Sequence, residues 1–172
     1  MDVKKTSDST TLKLRTHRPG DMGFITYRHA VIYVQDYGLP SCFERDVGRI
    51  AADFLDTYDP DMERCWIAER DGNFLGSIAL VKHKDVENTA MIRLLLVERE
   101  ARGLGLGTKL VQQCVEFAKE AGYKQIRLWT LTQLTTARRL YKNAGFEILR
   151  TEPQDAWGGV PKEEWGLCLY EL

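Results

Sequence analysis

Leu94-Leu-Leu-Val-Glu-Arg-Glu-Ala-Arg-Gly-Leu-Gly-Leu-Gly-Thr-Lys-Leu110 decides how this chain is read, because an apolar run passes into a glycine-spaced turn and the turn opens a helix. The first turn of a helix carries backbone N–H groups without intrahelical partners, together with the positive end of the helix dipole. Main chain alone therefore holds an anion there. Gly103, Gly105 and Gly107 keep side chains out of that place, which suits a diphosphate. Two familiar phosphate loops do not fit: Gly-x-Gly-x-x-Gly fails at Thr108, where its last glycine belongs, and Gly-x-x-x-x-Gly-Lys-Ser/Thr is absent. What remains is Arg-x-x-Gly-x-Gly at Arg102, Gly105 and Gly107.

Outward from this turn, residues 89–97 read as a strand and residues 108–121 as an amphipathic helix with Leu110, Val111, Cys114, Val115 and Ala118 at helical spacing. Upstream, residues 65–70 and 74–81 flank Asp71-Gly72-Asn73, a hairpin signal that makes this part antiparallel. Residues 12–16 read as a first strand ended by Arg18-Pro-Gly-Asp21, and residues 27–37 and 41–58 as two helices separated by Gly38-Leu-Pro40. Downstream, Ile126 and Leu128 alternate with Gln125, Arg127 and Trp129 in a further strand, and residues 147–151 and 165–172 close the chain as strands. The strand-helix-strand-helix portion demands locally parallel strands, so the expected fold is α/β (α+β), a mixed sheet with helices on both faces.

Thr135-Thr-Ala-Arg-Arg-Leu-Tyr-Lys-Asn-Ala-Gly-Phe146 is a short helix capped by Thr135 or Thr136, with Ala137, Leu140, Tyr141 and Ala144 on one face and Gly145 ending it. With the Arg102 to Gly107 hexapeptide, this segment resembles the paired signatures of the GNAT superfamily of N-acetyltransferases, Arg-x-x-Gly-x-Gly and Ala-x-x-Leu-Tyr-x-x-x-Gly-Phe. The resemblance implies the GNAT fold, a mixed and mostly antiparallel central sheet of about six to seven strands flanked by about four helices. It covers residues 12–172 as a single domain and leaves residues 1–11 as a disordered leader. A narrower resemblance, to the acetyltransferase half of proteins that fuse a MarR-type DNA-binding domain to this fold, rests on Arg18-Pro-Gly-Asp-Met-Gly23, Arg28-His29, Tyr33, Tyr37-Gly38 and Glu63-Arg-Cys-Trp-Ile-Ala-Glu-Arg-Asp-Gly72. No winged-helix region stands in the sequence, so that likeness gives no reason to expect DNA binding.

The resemblance implies transfer of acetyl from acetyl-CoA directly to a primary amine, with no metal. The diphosphate is expected on the main chain of Gly103, Leu104, Gly105, Leu106, Gly107 and Thr108, and the pantetheine amides along Leu95, Leu96 and Val97. Arg102 supports the loop or touches phosphate; Arg138 and Arg139 meet CoA phosphates or form a solvated face. Tyr141 is the implied acid for the departing thiolate, or else it packs beside the pantetheine. Tyr27, His29, Tyr33 and Tyr37 fall partly on one helical side and either line the acceptor slot or belong to the core. Arg93 pairs with a substrate carboxylate or forms a structural ion pair, and Trp129 is placed with the acceptor. No general base announces itself on the strand before the glycines; Glu69 or a water chain would serve, and Leu134 stands where many relatives carry asparagine.

Composition sets the partners. With 24 basic and 25 acidic side chains intermixed, a net charge of −1 offers no global attraction to nucleic acid or an anionic membrane. No apolar run is long enough to span a bilayer and the N-terminus lacks a secretory core, so a cytoplasmic enzyme is expected. Cys42, Cys65, Cys114 and Cys168 show no paired metal-ligand spacing and read as reduced thiols. The expected partner is a small-molecule amine or amino acid, with a protein or peptide amine as variant; the family also admits a homodimer. The reading from another class is a non-catalytic acyl-CoA-binding sensor.

Overall fold

The computed structural model describes residues 11–153 and 155–170. In chain order they build β1 (Lys13–Thr16), α1 (Asp21–Tyr37), α2 (Cys42–Thr57), β2 (Arg64–Arg70), β3 (Asn73–Lys82), β4 (Thr89–Val97), α3 (Leu106–Glu120), β5 (Gln125–Leu131), α4 (Thr135–Asn143), β6 (Glu147–Glu152) and β7 (Lys162–Cys168), with a 3₁₀ turn at Arg99–Ala101. Among the described residues the strands form one seven-stranded sheet in the order β1-β2-β3-β4-β5-β7-β6. Only the β4–β5 pairing is parallel. This is the mixed, mostly antiparallel sheet expected, with β7 inserted between β5 and β6.

Local chemistry accounts for the hairpin. Asp71 and Gly72 adopt φ of 52° and 77°, the two positive values that a two-residue type I′ turn requires, and Arg70 pairs with Asn73 across it. On one sheet face α3 buries Leu106, Leu110, Val111, Cys114 and Phe117 in a core shared with Ile78, Leu80, Ile92 and Ile126. On the other, α1 and α2 bury Met22, Ile25, Phe43, Val47 and Phe54 against Ile67, Ala79 and Leu94.

Two boundaries differ from the sequence reading. Helix α1 begins at Asp21, not at residue 27, after Gly20 in a left-handed conformation (φ 96°). Burying Met22 and Ile25, 5% and 0% exposed, contributes about 1.5–3 kcal/mol each, against about 1 kcal/mol for Gly23 inside a helix. Strand β7 spans Lys162–Cys168, not residues 165–172, because Glu163 and Glu164, which look like a solvated stretch, are buried. Glu163 accepts from Arg138 Nε at 2.9 Å, Arg138 Nη2 at 3.1 Å and Trp165 Nε1 at 3.0 Å. Glu164 accepts from Arg150 Nε at 2.6 Å and Arg127 Nη1 at 3.4 Å. Paired in this way, two charges are tolerated inside a strand. Apart from Thr11, the expected leader lies outside the described residues, as do residues 171–172 of the expected last strand.

The site is positioned by an irregularity in β4. Ser77 pairs with Leu96 and Ala79 with Arg93, so Leu94 and Leu95 both stand opposite Ile78 and form a bulge. Leu94 takes φ of 54°, a left-handed value that costs a non-glycine residue about 1–2 kcal/mol. Two neighbours on β3 accommodate it. Ser77, fully buried, donates its hydroxyl to the Leu94 carbonyl at 2.9 Å, and Gly76 lets the strands approach where a Cβ would come 2.6 Å from the Leu96 oxygen. Substituting Ser77→Ala strands that carbonyl and is expected to lower unfolding free energy by about 1–3 kcal/mol in denaturant titration. Parental stability would show that the bulge holds without the serine.

Candidate active site

Strands β4 and β5 pair only over Thr89–Gln125, Ala90–Ile126 and Met91–Arg127, and from Ile92 onward, ahead of the bulge, they part. The residues of β4 after Met91 therefore have no β5 partner on that side, and a cavity of about 420 Å³ opens between the two strands. It runs from the start of α3 to the wall made by α1 and α2, and is lined mainly by apolar side chains.

At one end stand Arg102, Gly103, Gly105, Leu106, Gly107 and Thr108. Gly103 and Gly105 both adopt φ of 76°, which turns the chain into α3 and leaves its first N–H groups facing outward. Gly107 serves close approach: a Cβ there would lie 3.1 Å from Leu140 Cδ2 of α4. Arg102 donates to the Val97 carbonyl at 3.3 Å and to Asp36 of α1 at 3.3 Å, and Arg99 binds the same carboxylate. Hydrogen bonds from Arg99 and then Arg102 hold Asp36 below the usual carboxylate range, so the loop is tied to α1. Leu104 is 63% exposed and stands outside the lining.

Along the cavity, Leu95, Leu96 and Val97 form one wall and Tyr141 the other. Tyr141 is buried on α4 beside Phe146 and Trp165, and burial raises its pKa well above the ordinary phenol value, so it is held protonated. Arg138, one turn earlier, does not reach the cavity. Its guanidinium lies on Glu163.

The other end gathers His29, Tyr33, Arg93 and Trp129, which sequence alone places on different elements. His29 is buried, its Nδ1 lies 2.9 Å from the Ile25 carbonyl, and burial lowers its pKa to about 4, leaving a neutral imidazole. Its ring stacks on Tyr33 at 5.7 Å, Tyr33 stacks on Phe43 at 4.9 Å, and Phe43 meets Trp157 edge-on at 5.1 Å. Burial pushes Tyr33 up to about 12. Trp157 Nε1 donates to Asp46 of α2 at 2.9 Å, which pins the β6–β7 connection over the cavity. Trp129 carries Lys162 and Arg150 over its ring at 4.3 and 5.1 Å. Tyr27 is 54% exposed and outside the lining. Glu69 is bound to Arg15 at 2.8 Å and likewise does not line the cavity. Ser77, the Arg28–Glu98 pair at 2.6 Å and the Trp157–Asp46 clasp are not visible in the sequence, since each joins residues distant along the chain. Among the described residues no group of three or more His, Cys, Asp or Glu side chains is placed to hold a metal.

The acetyltransferase (GNAT) family profile matches residues 32–146, which includes both walls of the cavity. The chain belongs to that family. It is 30% identical over 122 residues to the "Probable N-acetyltransferase camello" of Xenopus tropicalis, a match covering 70% of this chain and 54% of that one. To human N-acetylaspartate synthetase it is 32% identical over 81 residues, 47% of this chain and 26% of the synthetase. The chain thus matches about half the length of camello and a smaller share of the synthetase. The fold is also that of yncA from Salmonella typhimurium, solved with its cofactor acetyl-CoA, at TM-score 0.74 and 18% identity over 94% of this chain and 95% of that one.

Because a Cβ at Gly105 meets open space, its requirement is the positive φ that starts α3. The variant Gly105→Val is expected to weaken acetyl-CoA binding by about tenfold or more in calorimetry with far-ultraviolet circular dichroism unchanged. Unchanged affinity would remove the diphosphate from this turn.

Proposed function

We propose that this GNAT protein transfers acetyl from acetyl-CoA to the primary amine of a small molecule or an amino acid by direct attack. The observation that carries this reading is the single cavity that joins the glycine-rich start of α3 to an aromatic acceptor wall, with Tyr141 beside it. The residues fit the donor: outward-facing N–H groups at α3 suit a diphosphate, and the β5-facing side of Leu95, Leu96 and Val97, which lacks a β5 partner, suits the amides of an extended arm. When bound, acetyl-CoA supplies an activated thioester.

The protein's part is position and protons. The splayed edge of β4 and the α1/α2 wall bring amine and carbonyl together, which replaces an improbable encounter by an oriented one. The mostly apolar lining and the Arg93 charge both favour the neutral amine that attack requires. Tyr141, held protonated by burial, gives its proton to the departing sulfur so that the leaving group is a neutral thiol. Among the described residues the cavity lining has no carboxylate free to act as base, because Glu69 lies elsewhere and Asp46 is engaged by Arg45 at 2.8 Å and by Trp157. The amine proton leaves through water at the mouth. The cytoplasmic setting belongs to the proposal and is supported by four cysteines free of disulfides.

The engagement of Asp46, the one carboxylate of the described lining, by Arg45 and Trp157 is the observation that favours the other reading, a binding-only module. Turnover decides between them. The variant Tyr141→Phe is expected to lower kcat about 10- to 100-fold with the acetyl-CoA dissociation constant unchanged. An unchanged kcat would end the role of Tyr141 as acid, and a parent protein that binds acetyl-CoA but acetylates no amine would be a binding module.

A further inference from the structure

Among the described residues Arg93 is the charged side chain of the cavity lining that has no ion-pair partner, whereas Asp46, Arg102 and Lys162 each have one. It stands directly across from Ala79, and paired residues share a sheet face, so it projects toward α1 and α2, where Ala79 joins that core. Among the described residues its guanidinium makes no ion pair and no hydrogen bond, although it is only partly accessible. Burial lowers its pKa, and Asp53 of α2 opposes that only at a distance, being itself bound to Lys84 at 2.9 Å. A half-buried guanidinium carries five donors and no acceptor, and its planar fork matches a carboxylate.

The other charges of the cavity agree. Arg102 and Lys162 stand at its rim, and Asp46 is the one carboxylate in the lining, already held by Trp157 Nε1 and Arg45. Such a wall repels a polyamine and favours an anion. The α1/α2 side of the same cavity is apolar and aromatic, with Tyr33, Tyr37, Phe43 and Val47, and Trp157 lines it too. Within the acetyltransferase reading, on which this step rests, we infer that the acceptor is an amino acid with an apolar or aromatic side chain, its carboxylate held by Arg93. Arg93 then sets specificity: it orients the acceptor so that the amine points along β4 toward Leu95, Leu96 and Val97, and its positive charge lowers the amine's pKa.

Matched acceptors separate this from other amines. The full chain is assayed with labelled acetyl-CoA against phenylalanine, leucine and tryptophan, their decarboxylated amines, their amides, and a polyamine. The acids are expected to exceed the decarboxylated amines and amides about 100-fold in kcat/KM. In Arg93→Met that ratio falls to within about threefold of unity, in Arg93→Lys it is intermediate, and the KM for acetyl-CoA stays in place in both. Calorimetry with CoA and N-acetylphenylalanine supplies a readout without turnover: the parent binds this acid, and Arg93→Met loses about tenfold or more. Circular dichroism and the acetyl-CoA KM certify that the variants are folded, and Arg93→Lys keeps the test in force if Arg93→Met is not. Equal use of acids and amines, a preference for the polyamine, or a ratio untouched in Arg93→Lys or Arg93→Met would overturn the role of Arg93 while leaving the acetyltransferase standing. No acetylation of any acceptor by a parent that binds acetyl-CoA would overturn both.

Discussion

The bulge at Leu94 is the constraint on which the rest depends. The parallel pairing of β4 with β5 ends at Met91, and the bulge follows within the stretch of β4 that borders the cavity. That stretch carries one residue in a left-handed conformation and main-chain groups without a β5 partner. Ser77 and Gly76 on β3 offset the cost of that conformation from within the core. Edge groups without partners are a liability on a sheet and a resource in a binding site, since an extended ligand pairs with them as a missing strand would.

Polar ties hold the two rims of this opening. Arg28 grips Glu98 directly after β4, and Asp36 gathers Arg99 and Arg102, so α1 is fastened to the loop that starts α3. On the far side Glu163 collects Arg138 and Trp165, joining α4 to β7 behind Tyr141. Arg28–Glu98, Asp36–Arg99 and Arg138–Glu163 each join two different elements. Against these occupied charges Arg93 stands out, for it lines the cavity and among the described residues its guanidinium makes no ion pair.

What sequence revealed was what local chemistry determines. The Asp71-Gly72 turn, the amphipathic α3 and the Gly103 to Gly107 start of a helix are each specified by a few adjacent residues, and the structure has them in place. The start of α1 and the limits of β7 were not legible, because burial of Met22 and Ile25 outweighs a helical glycine and distant arginines make Glu163 and Glu164 tolerable inside a strand. The same holds in the site. His29, Tyr33, Arg93, Trp129 and Tyr141, which lie on separate elements, line one cavity, Arg138 and Leu104 are not in its lining, and the Trp157–Asp46 clasp comes from a loop that periodicity does not describe.

A crystal structure of the protein with CoA tests the central claim most directly, that one cavity between the parted strands β4 and β5 serves both donor and acceptor. The account predicts the diphosphate on the main chain of residues 104–108, the pantetheine amides paired with Leu95 to Val97, and the sulfur about 3 Å from the Tyr141 hydroxyl. CoA bound away from the β4–β5 opening, or a sulfur out of reach of Tyr141 with Arg93 walled off from it, would contradict the account.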